Sequence, residues 1–332
     1  MISRTFVAAA ASAVLFAGSV AASDYPTREP NGVIMWGAGG ATDVVARAVT
    51  PHVEEVLGKR IVLQNRAGGT GALSTAFVNA ARADGYTILY GAENPQLHKV
   101  LGLSEIDYAD FYPVNILARG VAVIVANNDQ PWESVADLVA DAQSRPGEIK
   151  MGSTGPGGLP HVVGAMLGAV TNFDVNAIPF DGEGPGLTAL QGGHVDFMPV
   201  GLSAASEQIK AGRVKVLAVV NPEAIDSLPG VPPVTEDYPD FARYLPWGPF
   251  YGIFVKRDTP DDIKATLVEA FAEGAANAQF TQLMDERGNV MMSISGDEAD
   301  DFLRKWQSVT SWLLHEAGAT QASPEEFDIP RP

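Results

Sequence analysis

The chain has 332 residues, with 22 Lys and Arg against 40 Asp and Glu for a formal charge of −18, and no cysteine. The missing cysteine excludes disulfides, thiolate metal sites, thiol nucleophiles and a lipid-bearing cysteine. The lack of clustered Lys and Arg excludes nucleic acid as a partner.

The first element is a secretory signal. Met1-Ile2-Ser3-Arg4 is a basic start, residues 5–20 are apolar and small, and Val20-Ala21-Ala22 precedes Ser23 as a cleavage site. The apolar run is shorter than the roughly 20 residues that span a bilayer. Residues 1–22 are therefore expected to be removed and the rest exported to the periplasm. About 310 residues remain, more than one ordinary hydrophobic core, so two domains are expected.

Short apolar runs then alternate with helical patterns. Strands are expected at 33–36, 61–64 and 87–90, with helices at 42–57 and 71–83 between them. This alternation predicts an α/β fold with parallel pairing. A strand at 121–126, a helix near 134–143 and a strand at 149–151 follow. A second α/β unit comes next, with helices at 161–170, 185–191 and 204–210 and strands at 175–180, 195–199 and 215–220. Residues 221–248 are dense in proline and read as an irregular connection. A strand resumes at 250–255. Thr259-Pro260-Asp261-Asp262 has the form of a helix start, with a capping hydroxyl, proline at the first position and acids over the positive end. Helices are expected to 278, at 280–287 and at 297–317, with a strand at 290–294. The polar, proline-bearing tail 320–332 is expected on the surface.

Two glycine-rich turns carry the chemistry. Trp36-Gly37-Ala38-Gly39-Gly40-Ala41-Thr42-Asp43 and Gly152-Ser153-Thr154-Gly155-Pro156-Gly157-Gly158-Leu159-Pro160-His161 each follow an apolar run and open into a helical pattern. Glycine leaves no side chain between the main-chain amides and a ligand, and the helix behind supplies unpaired donors and a partial positive charge. Such turns receive anions. An acidic surface slows the approach of an anion, so its site has to be local. Two turns over a hundred residues apart suggest one small anion gripped from both sides.

Individual residues carry more than one reading. Thr42 and Asp43 stand equally as ligand contacts or helix caps. Ser153 and Thr154 place hydroxyls beside the second turn, where ligand contact is favoured. His161 either donates to the ligand or ties down its loop. Arg66 reads as an ion-pair partner that stabilises its lobe. Enzyme signatures are absent. Gly37 to Thr42 lacks the third glycine of a dinucleotide fingerprint, and no acid follows the strand ending at Gln64-Asn65. There is no Walker A string, no G-x-S-x-G elbow and no H-E-x-x-H. His52, His98, His161, His194 and His315 lack metal-ligand spacing, and no orienting acid accompanies Ser153 and His161. No cofactor or metal is expected.

Read in order, Gly37 to Arg47, Ile61 to Gly71, Ala83 to Leu89, Pro179-Phe180-Asp181-Gly182, Leu190 to Asp196, Ile209 to Val219, Leu228 to Pro232 and Thr259-Pro260 resemble the Bug family. These are the TctC-like periplasmic solute-binding proteins of tripartite tricarboxylate transporters. The resemblance implies a two-lobed, type II-like Venus flytrap. Each lobe would be a mainly parallel sheet flanked by helices, with lobe 1 at 24–123 plus 251–332, lobe 2 at 124–250, and two crossings between them. It implies a monomeric receptor that holds a small carboxylate in the cleft, through the turn at Trp36 to Asp43 opposed by Ser153 to His161. The solute would be delivered to integral-membrane transporter subunits. A sensing subunit for a membrane kinase uses the same fold and site, and a secreted hydrolase is the remaining alternative.

The departures bear on the ligand. The chain has Met35-Trp36-Gly37-Ala38 where the family commonly has a Pro-Phe-Ala-Pro-like string, and Trp36 can wall a ligand body or pack the lobe edge. After the Pro179-Phe180 pair stands Asp181 where a lysine is frequent, with Glu183 two positions on. Glu93 and Asn94 lie at the expected end of a strand, where open α/β sheets bind ligands. Acids beside the site disfavour a polycarboxylate and favour ammonium or hydroxyl donors, unless they are solvated surface groups. The candidate ligand residues are thus Trp36, Gly37, Ala38, Gly39, Gly40, Ala41, Thr42, Asp43, Glu93, Asn94, Ser153, Thr154, Gly155, Gly157, His161, Phe180 and Asp181.

Overall fold

A computed structural model describes residues 24–332, so the expected signal at 1–22 lies outside the described residues. The chain runs β1 Asn31–Ile34, α1 Ala41–Leu57, β2 Val62–Asn65, α2 Ala72–Ala80, β3 Thr87–Gly91, β4 Phe111–Arg119 and β5 Ala122–Ala126. It continues with α3 Val135–Ser144, β6 Lys150–Ser153, α4 Leu159–Thr171, β7 Asn176–Pro179, α5 Glu183–Gln191, β8 Phe197–Gly201, α6 Leu202–Lys210 and β9 Lys215–Val220. The short α7 Val234–Asp237 lies in the proline-dense connection. After it come β10 Phe250–Lys256, α8 Asp261–Ala275, α9 Ala278–Glu286, β11 Val290–Ile294 and α10 Gly296–Glu316.

The strands form two sheets flanked by helices, in the orders β11-β4-β10-β3-β1-β2 and β7-β6-β8-β5-β9. Both are mixed where mainly parallel sheets were expected. β2, β1 and β3 pair in parallel, as do β7, β6 and β8. The antiparallel pairs β10/β3, β10/β4, β5/β8 and β5/β9 all involve strands next to the crossings. A chain that leaves one sheet for the other and later returns runs against its neighbours, and this reverses the strands there. Ala122 and Val123 already pair with Gly201 and Val200 of the second sheet. The chain passes from the first sheet to the second at Gly120-Val121.

Amphipathic spacing decides the helix faces. In α1, Val45, Val49 and Val53 recur every fourth residue and are buried beside Leu267, Ala270 and Phe271 of α8. Gly58, in the left-handed region, ends that helix. One expectation needs correction, and two features carried no signal. β4 lacked a signal because Pro113 and Asn115 interrupt its apolar run, yet it is a buried nine-residue strand between β10 and β11. Thr259 does not cap α8: Pro260 occupies that position and the Thr259 hydroxyl has no partner, while Asp261 and Asp262 do fill the first turn. The tail is docked. Trp312 donates to the Ile329 and Pro330 carbonyls, Ser308 donates to Pro330, and Ile329 is buried.

β10 carries the core of the first sheet, with the Phe254 ring stacked on Tyr108 at 3.9 Å between centroids. Truncating a fully buried aromatic removes transfer energy and leaves a cavity. Phe254→Ala should lower unfolding stability by about 3–5 kcal/mol in urea titrations.

Candidate functional site

The two sheets direct the carboxyl ends of their parallel strands at one another. From the first come the residues after β1 (Trp36, then Gly40 and the start of α1) and after β3 (Ala92 and Glu93). From the second come Thr154 after β6, Leu159 at the start of α4 and Glu183 at the start of α5. Because β10 runs antiparallel to β3, its beginning adds Pro249 and Tyr251 to the same place. Together with Gly40, Ala41 and Thr42 these residues enclose a cavity of about 30 Å³, room for one water-sized group. Open α/β sheets bind ligands at this end of their strands.

The lobes touch directly around this cavity. The Gly37 amide donates to the Asp181 carbonyl at 3.0 Å, and Asn94 Nδ2 donates to the Gly157 carbonyl at 2.7 Å. Thr70 Oγ1 donates to the Thr154 carbonyl at 3.4 Å. Gly184 backs onto the first turn so closely that a Cβ there would collide with the Ala38 carbonyl oxygen. Gly157 turns at φ +76°, and a Cβ would meet Leu101 at 2.6 Å.

Glu183 dominates the electrostatics. Its Oε2 accepts from the Ala41 amide of α1 at 3.1 Å, and its Oε1 accepts from the Gly201 amide before α6 at 2.6 Å. One carboxylate thus sits on two helix starts from the two sheets, where dipole and free amides favour an anion. Glu93, 3% exposed, holds Asn94 Nδ2 at 3.3 Å through Oε1, while Oε2 has no hydrogen-bond partner. Burial pushes its carboxyl up to about 8. Main-chain amides at Glu93 and Phe250 oppose that rise, and the charge of Glu183 adds to it. Glu183 is also raised by burial of its carboxyl end, which outweighs its two amide bonds. Tyr251 is buried with an unpartnered hydroxyl and is raised well above the usual tyrosine range, by burial and then by both glutamates. Ser203 faces it but is engaged with Asn289. Among the described residues, no Lys, Arg or His lines the cavity.

Of the residues singled out by sequence, Trp36, Gly40, Ala41, Thr42, Glu93 and Thr154 line the cavity. Trp36 Nε1 donates to Asn94 Oδ1 at 3.2 Å, which fixes the indole as a wall. The others stand behind. Gly37, Ala38 and Gly39 form the turn, and α1 has Gly40 as its cap with no side-chain capping bond. Asp43 reaches back to the Gly39 amide at 2.9 Å and also accepts from Arg47 and Asn65. Ser153 Oγ accepts from the Gly155 amide. His161 Nδ1 accepts from the Gly157 amide at 3.0 Å, tying down its loop, and burial lowers its pKa. Phe180 packs partly buried in the lobe core, and the Asp181 side chain is exposed. Arg66 lies over the Phe77 ring at 3.8 Å. The sequence reading missed Tyr251, Pro249, Ala92 and Leu159 as lining residues, and it named Glu183 only as a neighbouring acid.

The sequence profile described as the tripartite tricarboxylate transporter family receptor matches residues 45–310. The chain is 28% identical over 308 residues to the protein BugT of Bordetella pertussis, covering 91% of this chain and 93% of that protein. The solved periplasmic binding protein BugD superposes with a TM-score of 0.84 at 26% identity, covering 89% of this chain and 99% of that one. R. palustris Rpa4515, solved with adipate, superposes at 0.82 and 26% identity, covering 89% and 99%. No helix among the described residues is long and apolar enough to cross a membrane.

Two outcomes follow from the geometry. Gly184→Ala should hold the lobes apart, seen as a larger radius of gyration in small-angle scattering with each lobe still folded. Glu93 has a folded-state pKa above its unfolded value, so its contribution to stability is present below about pH 4.5 and is lost as the pH rises to about 8. In pH-dependent unfolding, Glu93→Gln should gain on wild type across that interval, by on the order of 4 kcal/mol at its upper end.

Proposed function

The chain belongs to the tripartite tricarboxylate transporter receptor family, a family of solute-binding receptors, and from that premise we propose that it captures a small carboxylate-bearing solute between its lobes. In this reading the chain works as a monomer in the periplasm after removal of residues 1–22, and it hands the solute to integral-membrane transporter subunits. The lobes are taken as 24–120 plus 250–332 and 121–249.

The observation that carries the proposal is the meeting of helix starts from both sheets at one cavity bordered by Trp36, where the Glu183 carboxylate on the Ala41 and Gly201 amides marks the place as one that receives a carboxylate. Solute bound to one lobe completes its contacts only when the other closes, so binding raises the population of the closed form. The contacts of Gly37 with Asp181 and Asn94 with Gly157 hold that form together. A membrane partner would recognise the closed surface, and no bond-making step is involved. That Rpa4515 was solved with adipate supports a carboxylate as the class.

In a thermal-shift panel of C3 to C8 carboxylates at pH 7, with and without amino or hydroxyl groups, at least one compound should stabilise the protein. A solute at a hundred times its dissociation constant adds about 2.7 kcal/mol. No shift with any compound, together with turnover of an ester or amide, would transfer the assignment to a hydrolase.

A further inference from the structure

We propose that the Glu183 side chain is an internal ligand that occupies the place of the solute's carboxylate, and that a solute binds by displacing it. This rests on the receptor reading above and deepens it by naming the groups that the solute's carboxylate meets.

Glu183 is held as a bound carboxylate would be. Its Oε2 accepts from the Ala41 amide at 3.1 Å and its Oε1 from the Gly201 amide at 2.6 Å, both at helix starts. Ala41 belongs to one lobe and Gly201 to the other, so these bonds also tie the lobes together. An incoming carboxylate on the same amides does both jobs. Glu183 is the first residue of α5 and is partly exposed, although its carboxyl end is buried. Rotation about its side-chain bonds carries the carboxylate out to water, and hydration there offsets the amide bonds it gives up.

Space follows the same logic. The cavity beside Glu183 is about 30 Å³, room for one water-sized group. A solute carboxylate therefore fits only where a carboxylate leaves, and the methylenes behind it take the room of the departed side chain.

What favours the solute is a pair of donors that Glu183 does not use. Glu93 and Tyr251 line the same cavity, 3% and 2% exposed, and Glu93 Oε2 and the Tyr251 hydroxyl have no partner. Glu93 Oε1 accepts from Asn94, and burial pushes the carboxyl up to about 8, so at pH 7 its proton stands on Oε2. Both groups are O–H donors. The charge of Glu183 acts on each of them. A Cβ placed on Gly201 would lie 3.3 Å from the Tyr251 hydroxyl, 3.5 Å from Glu183 Oε1 and 3.1 Å from the Ala41 methyl, so these groups converge on one point. Neither O–H bonds to Glu183, whose reach is fixed by its tether to α5. A free carboxylate can shift to meet them, and hydrogen bonds to a charged acceptor are about twice as strong as neutral ones. The solute thereby gains two bonds that the internal ligand lacks.

The test compares the mature protein with Glu183→Ala, Glu183→Gln and Glu183→Asp in calorimetric titrations with butanedioate, hexanedioate and the other C3 to C8 compounds of the carboxylate panel. Removing the internal ligand should tighten carboxylate binding by about 10-fold or more in Glu183→Ala, with Glu183→Gln moving the same way. Glu183→Gln keeps the shape of the side chain and carries the comparison should Glu183→Ala fail to fold. Glu183→Asp keeps the charge but is too short to span both amides, so it should also bind more tightly, whereas simple charge repulsion would leave it at the wild-type value. In thermal melts about 0.1 M acetate, against chloride at equal ionic strength, should raise the midpoint of Glu183→Ala by about 3 °C or more and leave wild type unmoved, because a tethered carboxylate outcompetes a free one. Tyr251→Phe should fold as stably as wild type and lose about 10-fold in affinity. Equal or weaker affinity in the Glu183 variants, Glu183→Asp included, acetate acting alike on wild type and Glu183→Ala, or undiminished affinity in Tyr251→Phe overturns the exchange and leaves the receptor reading standing. No binding by any compound of the panel, in wild type or variant, removes both.

Discussion

The structure turns on the amides that helices leave unpaired where they begin. α1 and α6 start at the carboxyl ends of strands in different sheets, and their first amides converge on one point. Water satisfies such donors at a surface, but in a closed crevice an acceptor has to be brought in. Here Glu183 supplies it, with one oxygen on Ala41 and the other on Gly201. The glycine-rich turns follow from that requirement. Gly37 and Gly184 let main chain approach main chain across the cleft, so the first turn and the start of α5 come within hydrogen-bonding reach.

Local pattern carried much of the fold. Alternating short apolar runs and amphipathic stretches are strong signals because burial of one face has a fixed period, and every helix that positions the site was legible to within a few residues. β4 was not. Its proline and asparagine break the periodicity, and its place is set by pairing with β10 and β11, which lie more than a hundred residues later. The docked tail escaped for the same kind of reason. Its polar composition reads as solvated, whereas the indole of Trp312 and the hydroxyl of Ser308 hold its carbonyls from the side of α10.

The site divided along similar lines. The two turns could be read because glycine before a helix has a local physical meaning, and Glu93 could be read from its place at the end of a strand. Tyr251 could not. It reaches the cavity only because the chain crosses back between lobes at β10, and no neighbour in sequence announces that. Asp181 and Glu183 are two residues apart and looked equivalent, yet one faces solvent and the other holds two helix starts. α5 begins at Glu183, so the residue aimed at the amides is the first of the helix. Asp181 contributes only its main-chain carbonyl, which accepts from Gly37.

Acidity has two meanings in this chain. Most of the excess carboxylates are surface groups, solvated and free to repel a small anion at long range. Glu93 and Glu183 are different, since burial raises the cost of ionising both, and the charge of Glu183 adds to that cost at Glu93. A fold bears a buried acid with an unpaired oxygen when the unpairedness is used, because an apolar residue of similar size would be cheaper in a core. Glu93 shares the cavity wall with the Trp36 indole and the Glu183 carboxyl. Pushed up to about 8 by burial, its carboxyl keeps its proton at pH 7 and stands on the cavity wall as a neutral group.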